Sequence, residues 1–210
     1  MRPVPNQTWI KICGITSLED ARAAADCGAD AVGFVFAESK RRIHPALARA
    51  IAFGLPSNVM RVGVFMDEKP ETVRQIAETV GLDAVQLHGS ETASDCASIG
   101  RPVIRRFDVR PGVSRDALVS QMASYPAFAC LLDPGSGDGN PFDWSVARDI
   151  PFRVILAGGL STENIRQAIR LVHPFGVDVS TGVERAPGRK DPIKIRKFIE
   201  EVRHDRHGIR

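Results

Sequence analysis

Short apolar segments rich in β-branched residues alternate with longer segments of helical periodicity along the whole chain. The apolar segments predict strands over 9–13, 31–36, 61–66, 84–88, 103–109, 128–133, 153–158 and 177–181. The segments between them predict helices over 17–27, 45–53, 70–80, 91–99, 114–124, 143–149, 162–172 and 191–204. Strands that alternate with helices need crossover connections, so the pattern indicates a parallel sheet.

A short repeat indicates that the strand–helix units are nearly equal in length. GADAV (28–32), GLDAV (81–85) and GVDV (176–179) each follow a predicted helix and enter a predicted strand, where the glycine suits a left-handed helix C-cap. Eight such units predict the α/β class and a single (β/α)₈ TIM barrel with parallel strands, as one domain over residues 1–210. A doubly wound open sheet is the alternative. Against it, the first strand–helix turn reads CGIT and lacks the G-x-G-x-x-G of dinucleotide-binding folds.

Composition and charge narrow the possible partners. The chain has 210 residues, of which 43% are apolar and 25% charged, with a net charge of +3 and scattered basic residues. We therefore expect no nucleic-acid partner, and the mild basicity favours a phosphorylated small molecule. No apolar run reaches the roughly 18 residues of a membrane span, and the N-terminus lacks the apolar core of a secretion signal. We expect no membrane partner and a cytoplasmic location.

The four cysteines show neither a C-x-x-C motif nor the spacing of a zinc site, so reduced thiols are expected. Cys27, Cys96 and Cys130 lie within predicted elements and are expected to pack as small hydrophobic residues. No nucleotide motif appears, and we expect no metal and no other cofactor. A metal role for His204 and His207 in the C-terminal tail is a minor alternative.

Cys13 differs from the other cysteines because it ends the first predicted strand, on the barrel face that carries active sites. Gly14 allows a sharp turn that would leave the thiol uncovered. Lys11 on the same strand face, and a helix expected to begin at the capping-box pair Thr16 and Glu19, both favour a thiolate. These features leave two interpretations open, a reactive thiol or a buried packing cysteine.

Asp133 ends the apolar run AFACLL (127–132), where a carboxylate either caps a turn or lies in a dry pocket. Dry surroundings raise the pKa of a carboxyl group and would suit it to act as a general acid. The glycine-rich segment DPGSGDGNP (133–141) is interpreted either as a lid over the site or as an ordinary surface loop.

The ends of the other strands supply candidate binding groups. Arg41 or Arg42 could anchor an anionic group through a bidentate contact, and His88, beyond Gln86 on the fourth strand, is either a base or, more simply, a satisfied histidine at the rim. AGGL (157–160) and STG (180–182) follow strands seven and eight, between which barrels often bind phosphate. They predict a phosphate site formed by Gly158, Gly159, Ser180, Thr181 and Gly182.

With Cys13, Arg41 and Asp133 placed, the chain resembles the phosphoribosylanthranilate isomerase family of tryptophan biosynthesis. The pair KICGIT and VDVSTGVE is highly specific for that family. The matching motifs are KICGIT (11–16), DAVGFVF (30–36) with SKR (39–41), RVGVF (61–65), VQLHG (85–89), LLD (131–133), FDW (142–144), AGGL (157–160), GVDVSTGVE (176–184) and PGRKD (187–191).

The resemblance implies a (β/α)₈ barrel and an isomerase, an intramolecular oxidoreductase of the aldose–ketose type. Its reaction would be the Amadori rearrangement of N-(5-phosphoribosyl)anthranilate to 1-(2-carboxyphenylamino)-1-deoxyribulose 5-phosphate, the third step from chorismate. Cys13 would be the general base and Asp133 the general acid, and Arg41 would contact the anthranilate carboxylate. The further substrate-binding residues would be Gln86, His88 and Asp178. The resemblance implies no cofactor, and the chain is expected to be a monomer or a homodimer.

The chain departs from the family pattern at two places, and it differs from related barrels of other function. Ser180-Thr181 replaces a serine pair, and GSGDGNPFDW replaces the usual G-G-[ST]-G loop before FDW. The histidine-pathway isomerase has aspartate where Cys13 stands, and a phosphate-binding barrel lyase would need lysine or glutamate at the strand ends. A non-catalytic ligand-binding barrel is disfavoured because Cys13, Asp133 and Arg41 occur together.

Overall fold

The computed structural model describes residues 7–135 and 141–204. Residues 136–140 of the predicted lid, and His207 of the tail, lie outside the described residues. Eight strands form a closed, all-parallel barrel in sequence order, with β1 hydrogen-bonded to both β2 and β8. This closure confirms the predicted (β/α)₈ barrel and excludes the open sheet. The strands are β1 (Trp9–Cys13), β2 (Ala31–Val35), β3 (Met60–Phe65), β4 (Ala84–Leu87), β5 (Val103–Asp108), β6 (Ala129–Asp133), β7 (Val154–Leu156) and β8 (Gly176–Val179).

Helices follow the strands with one exception. The predicted helix over 143–149 is a 3₁₀ turn, Trp144–Ala147, capped by Asp143. A second 3₁₀ turn, Thr181–Val183, follows β8. It leads into a hairpin of two very short strands that the sequence pattern did not predict, β9 (Glu184–Ala186) and β10 (Arg189–Lys190). The helices are α1 (Leu18–Asp26), α2 (Pro45–Phe53), α3 (Pro70–Val80), α4 (Ala93–Ser98), α5 (Arg115–Ala123), α6 (Ile165–Val172) and α7 (Pro192–His204).

The predicted cap of α1 was wrong by one residue. Ser17 is the N-cap, and its hydroxyl accepts a hydrogen bond from the Asp20 amide at 3.1 Å. Thr16 instead donates its hydroxyl hydrogen to the Gly188 carbonyl at 2.6 Å, which ties the start of α1 to the β9–β10 hairpin.

The glycine repeat serves as a helix cap only in its first two copies. Gly28 and Gly81 have φ of +94° and +75°, as a left-handed cap requires. Gly176 lies inside β8, and His173 takes the left-handed position after α6. A Cβ on Gly176 would lie 2.9 Å from the Trp9 carbonyl oxygen, so this glycine allows β8 to pack closely against β1.

Two apolar regions support the barrel. The larger lies between the strands and the helices and contains Ile12, Phe34, Cys96 and Cys130, while Cys27 packs at its edge. These three cysteines therefore pack as predicted. The smaller fills the lower barrel interior and is formed mainly by Trp9, Ala31, Val62, Ala84, Ile104, Ala129, Leu131, Ile155 and Ala157.

Above the lower apolar layer the barrel interior becomes polar. Lys11, Gln86 and Asp178 are buried there. Each lies two residues beyond the inward-facing residue below it on the same strand, which is Trp9, Ala84 or Gly176. Cys13, Val35 and Val64 form a small cluster at the top. The strands thus place ionisable groups at their carboxyl ends over an apolar floor. None of the described helices has the length and apolar character that a membrane crossing requires.

Candidate active site

A cavity of about 410 Å³ opens at the carboxyl ends of the strands. It is large enough for a small-molecule ligand. Apart from Arg42, every residue that the sequence predicted in a catalytic or binding role borders it. These residues are Cys13, Arg41, Gln86, His88, Asp133, Gly158, Gly159, Asp178, Ser180, Thr181 and Gly182.

Cys13 lies on the cavity wall but is only 9% exposed. Gly14 has φ of +77°, which favours glycine, and a Cβ there would lie 2.5 Å from Cδ of Arg41 and 3.1 Å from the Ser180 hydroxyl oxygen. Gly14 therefore lets two other cavity residues approach the strand end. The prediction that the thiol is left uncovered was wrong, because Cys13 is almost fully buried at the end of β1.

A buried ion pair lies beside the thiol. Nζ of Lys11 donates to both carboxylate oxygens of Asp178, at 3.0 and 2.9 Å. A Cβ on Gly33 of β2 would lie 2.8 Å from Sγ of Cys13 and 3.1 Å from Nζ of Lys11, so the thiol and the ammonium group are neighbours. The absence of a side chain at Gly33 provides the space that both groups share.

The charges around Cys13 act in opposite directions. Burial raises the pKa of the Cys13 thiol, the Lys11 charge lowers it, and the Asp178 charge raises it again. Lys11 favours the thiolate as predicted, but burial outweighs its effect, so the net pKa of Cys13 is above its ordinary value. Sequence spacing located the lysine but did not reveal that Asp178 already pairs with it.

Asp133 lies across the cavity from Cys13, with β7 and β8 between their strands on one side. Its carboxylate is partly exposed and accepts a hydrogen bond from the Gly135 amide at 2.7 Å. Asp133 thus caps the turn after β6, which is the first of the two interpretations, and it also borders the cavity, as the second requires. Nη2 of Arg106 lies 3.1 Å from the Asp108 carboxylate and 3.5 Å from the backbone carbonyl oxygen of Asp133.

Gln86, buried on β4, pairs with half-buried His88 in the loop that follows it. Nε2 of Gln86 lies 3.2 Å from Nδ1 of His88. Burial lowers the pKa of His88 to about 4, against the opposing effect of the Asp133 charge, so the imidazole is neutral at pH 7. If Gln86 donates to Nδ1, the proton of His88 is on Nε2. Among the described residues, none donates a hydrogen bond to Oε1 of Gln86, which is buried.

The loops after β7 and β8 meet, as the barrel order predicts. A Cβ on Gly182 would clash with the Leu160 carbonyl oxygen, which shows how closely the two loops pack. Gly158 and Gly159 have φ of +74° and +69°. Within the described part of the chain, the backbone N–H groups of Gly158, Gly159 and Leu160 have no hydrogen-bond acceptor. These donors are available to an anion.

Arg41 is held by a carboxylate of the hairpin. Nε and Nη2 of Arg41 donate to the two carboxylate oxygens of Glu184 at 2.8 and 2.7 Å, and Nη2 also contacts the Thr181 hydroxyl at 3.1 Å. Nζ of Lys190 donates to the same Glu184 at 2.9 Å. Arg42, the other candidate, forms only an exposed pair with Glu38 and does not border the cavity.

Glu184 and Lys190 are the residues near the cavity that sequence reasoning missed. Both lie in the quoted motifs VDVSTGVE and PGRKD, but no periodicity or spacing shows that the short strands β9 and β10 turn them inward. Among residues 7–135 and 141–204, no group of three or more His, Cys, Asp or Glu side chains has the arrangement of a metal site.

Comparison with known proteins identifies the family to which this geometry belongs. The sequence profile of N-(5'phosphoribosyl)anthranilate (PRA) isomerase matches residues 10–201. The N-(5'-phosphoribosyl)anthranilate isomerase of Desulforudis audaxviator is 50% identical over 203 residues, which cover 93% of this chain and 98% of that protein.

Solved structures agree with the sequence match. The crystal structure of phosphoribosyl anthranilate isomerase from Thermotoga maritima superimposes with a TM-score of 0.86 at 44% identity, covering 94% of this chain and 99% of that one. A phosphoribosyl anthranilate isomerase in complex with reduced 1-(o-carboxyphenylamino)-1-deoxyribulose 5-phosphate gives a TM-score of 0.84 at 43% identity, with coverage of 94% and 99%. The chain belongs to the N-(5'-phosphoribosyl)anthranilate isomerase family.

Proposed function

We propose that this chain converts N-(5-phosphoribosyl)anthranilate to 1-(2-carboxyphenylamino)-1-deoxyribulose 5-phosphate in tryptophan biosynthesis. The observation that carries the proposal is a single cavity that combines a thiol and a carboxyl group on different walls with anion-binding groups at two places. The substrate has a carboxylate at one end and a phosphate at the other. One molecule can therefore engage Arg41 and the β7 and β8 loops at the same time.

The phosphate binds between the loops that follow β7 and β8. The unpaired backbone N–H groups of Gly158 and Gly159 supply donors, and the hydroxyl groups of Ser180 and Thr181 lie on the facing loop. Gly182 lets the two loops approach each other closely enough for both to contact one phosphate. The phosphate lies remote from the reacting carbons, so this contact contributes mainly to uniform binding.

Asp133 acts as the general acid. In its protonated form it gives a proton to the furanose oxygen, and the C1′–O bond breaks to leave an iminium ion. The hydrogen on C2′ then becomes acidic because the electron pair of the C2′–H bond can move toward the iminium nitrogen. The position of Asp133 at the cavity edge lets it reach the ring oxygen while the Gly135 amide orients its other side.

Cys13 acts as the general base. Its thiolate removes the C2′ proton, and the resulting enolamine tautomerises to the ketone. Burial holds most of the thiol protonated at pH 7, so the Lys11 charge beside it is the group that makes a thiolate accessible. Asp178 holds Lys11 in place through two hydrogen bonds.

Three further side chains orient the ribose. The buried Oε1 of Gln86 can accept a hydrogen bond from a sugar hydroxyl, and neutral His88 can donate from Nε2. The Asp178 oxygens each accept from Lys11 but keep a second lone pair that faces the cavity. These contacts account for the predicted substrate-binding roles of all three residues.

The remaining predictions concern the setting of the enzyme. We propose that one barrel domain over residues 1–210 carries the activity, in the cytoplasm, without a cofactor and without nucleic-acid or membrane partners. The four cysteines are all free thiols, which supports a reducing compartment. The expectation of a monomer or a homodimer stays a prediction.

The fluorescence of anthranilate provides the test. The substrate is prepared from anthranilate and phosphoribosyl pyrophosphate, and its conversion is followed optically with the wild type and with Cys13→Ala. We expect turnover by the wild type and none by Cys13→Ala, with an unchanged melting temperature. Cys27→Ala, which removes a thiol away from the cavity, is the matched control and should keep full activity. Turnover by Cys13→Ala at the wild-type rate would show that Cys13 is not the base.

A further inference from the structure

Two charged side chains of the β9–β10 hairpin turn inward. Glu184 is 7% exposed and Lys190 is fully buried, although both lie in a short polar segment. Burying charges is costly unless they are paired with good geometry. Nζ of Lys190 lies 2.9 Å from Glu184, and the Gly188 amide also donates to Glu184 at 3.2 Å. The hairpin thus presents a carboxylate whose position is fixed before any ligand binds.

That carboxylate occupies one edge of the Arg41 guanidinium. Glu184 accepts from Nε and Nη2 in a bidentate arrangement, the most directional contact available to arginine. Among the described residues, none accepts a hydrogen bond from Nη1 of Arg41. Glu184 therefore fixes the orientation of the planar guanidinium group. Nη1 remains free to donate to another partner in the cavity that Arg41 borders.

The same network reaches the loop that follows β8. Nζ of Lys190 contacts both the carbonyl oxygen and the hydroxyl oxygen of Ser180 at 3.2 Å. The hairpin itself is anchored to the start of α1, because the Lys190 amide donates to Asp20 at 3.1 Å. Arg41 and the β8 loop are consequently held by one buried unit.

We infer that Glu184 and Lys190 are positioning residues, which hold Arg41 so that its Nη1 edge receives the carboxylate of the aromatic ring. The inference rests on the proposed function, in which Arg41 binds that carboxylate. Glu184 orients the guanidinium, and Lys190 balances the charge of Glu184 and links it to Ser180. A fixed guanidinium loses little side-chain freedom when the ligand binds, so the carboxylate contact becomes stronger than a mobile arginine would allow.

The test compares two non-reacting ligands, the reduced product 1-(2-carboxyphenylamino)-1-deoxyribitol 5-phosphate and the same compound without the carboxylate. Dissociation constants are measured by calorimetry for the wild type, Arg41→Met and Glu184→Gln. Glu184→Gln should raise Kd for the carboxylate ligand roughly 3- to 10-fold, the effect of releasing one flexible side chain. It should leave Kd for the carboxylate-free ligand unchanged, because that ligand does not use Arg41.

Two controls separate positioning from general damage. In an Arg41→Met background, Glu184→Gln should have no further effect on either ligand, since the group it positions is gone. Glu71→Gln removes one partner of an exposed ion pair on α3 and should change neither constant. If Glu184→Gln melts below the assay temperature, Glu184→Asp keeps the charge beside Arg41 and Lys190 but shortens the side chain by one methylene group. It should show the same selective loss for the carboxylate ligand, because the shorter side chain loses the bidentate contact with Arg41.

The outcomes distinguish the inference from the proposed function. Equal weakening of both ligands by Glu184→Gln, or no weakening of either, overturns the positioning role. If Arg41→Met leaves the preference for the carboxylate ligand intact, the proposed contact between Arg41 and the ligand carboxylate is wrong, and the proposed function loses that contact. If Arg41→Met removes that preference and Glu184→Gln does not, only the present inference fails.

Discussion

Removal of the Lys11 charge should make the Cys13 thiol harder to ionise. Sγ of Cys13 and Nζ of Lys11 both lie within 3.1 Å of one point beside Gly33, so they are separated by at most about 6 Å. Two unit charges at ~6 Å interact by ~3 kcal/mol at an effective dielectric constant of ~20, equivalent to ~2 pKa units. Lys11→Met also leaves Asp178 buried without its partner, and that carboxyl group then takes up a proton. Loss of the Asp178 charge offsets part of the effect, but the Lys11 charge acts more strongly on the thiol than the Asp178 charge does, so the pKa of Cys13 still rises.

The sign of the pH dependence follows from that shift. The pKa of Cys13 is already above its ordinary value, so the thiolate fraction, and with it the rate of alkylation at Cys13, should rise with pH above neutrality. In Lys11→Met the rising limb should move to higher pH, and alkylation by iodoacetamide at pH 7 should slow, by less than the ~10²-fold that a loss of ~3 kcal/mol alone would give. Lys11→Arg keeps the charge and should restore much of the rate, whereas Lys197→Met on the exposed face of α7 should change nothing.

The assay is the pH dependence of the alkylation rate, measured by mass spectrometry of the Cys13 peptide. A parallel melting curve checks that each variant is folded. An unchanged or lowered alkylation pKa in a folded Lys11→Met variant would refute the role of Lys11 in supporting the thiolate.

Three other changes test the remaining groups. Asp133→Asn keeps the shape of the side chain but cannot give a proton, so steady-state kinetics should show kcat lower by at least ~10²-fold. A raised KM with little loss of kcat would instead assign Asp133 to binding. Gly159→Val should raise KM far more than it lowers kcat, because it blocks the phosphate donors; equal turnover of a dephosphorylated substrate would contradict the phosphate site. Activity should survive exhaustive chelation and dialysis, and recovery only on addition of a metal would contradict the absence of a cofactor.

The barrel was predictable because its signal is repeated. Each strand supplies a short apolar run, each helix supplies its own periodicity, and eight repeats leave few topologies. The segment 143–149 and the β9–β10 hairpin were not predicted correctly because each contains too few residues to express a period. The N-cap error at α1 has a tertiary cause, since the Thr16 hydroxyl is used by Gly188, which is distant in the sequence.

The residues that border the cavity could largely be predicted from the sequence, whereas the charge interactions among them could not. Strand ends of a parallel barrel share one face, which is why Cys13, Asp133 and the β7 and β8 loops could be brought together from the sequence. The state of the thiol depends on burial and on a pair formed across strands β1 and β8, which local spacing does not reveal. The inward turn of Lys190 has the same origin, because its partners lie on other elements.

The transfer of the C2′ hydrogen tests the central claim most directly. The substrate is prepared with deuterium at C2′, and its release into water is followed by NMR for the wild type and for folded Cys13→Ala. The account predicts that the wild type releases the label during turnover with a primary isotope effect, and that Cys13→Ala releases none while still binding the reduced product. Release of the label by Cys13→Ala at the wild-type rate would contradict the assignment of Cys13 as the base.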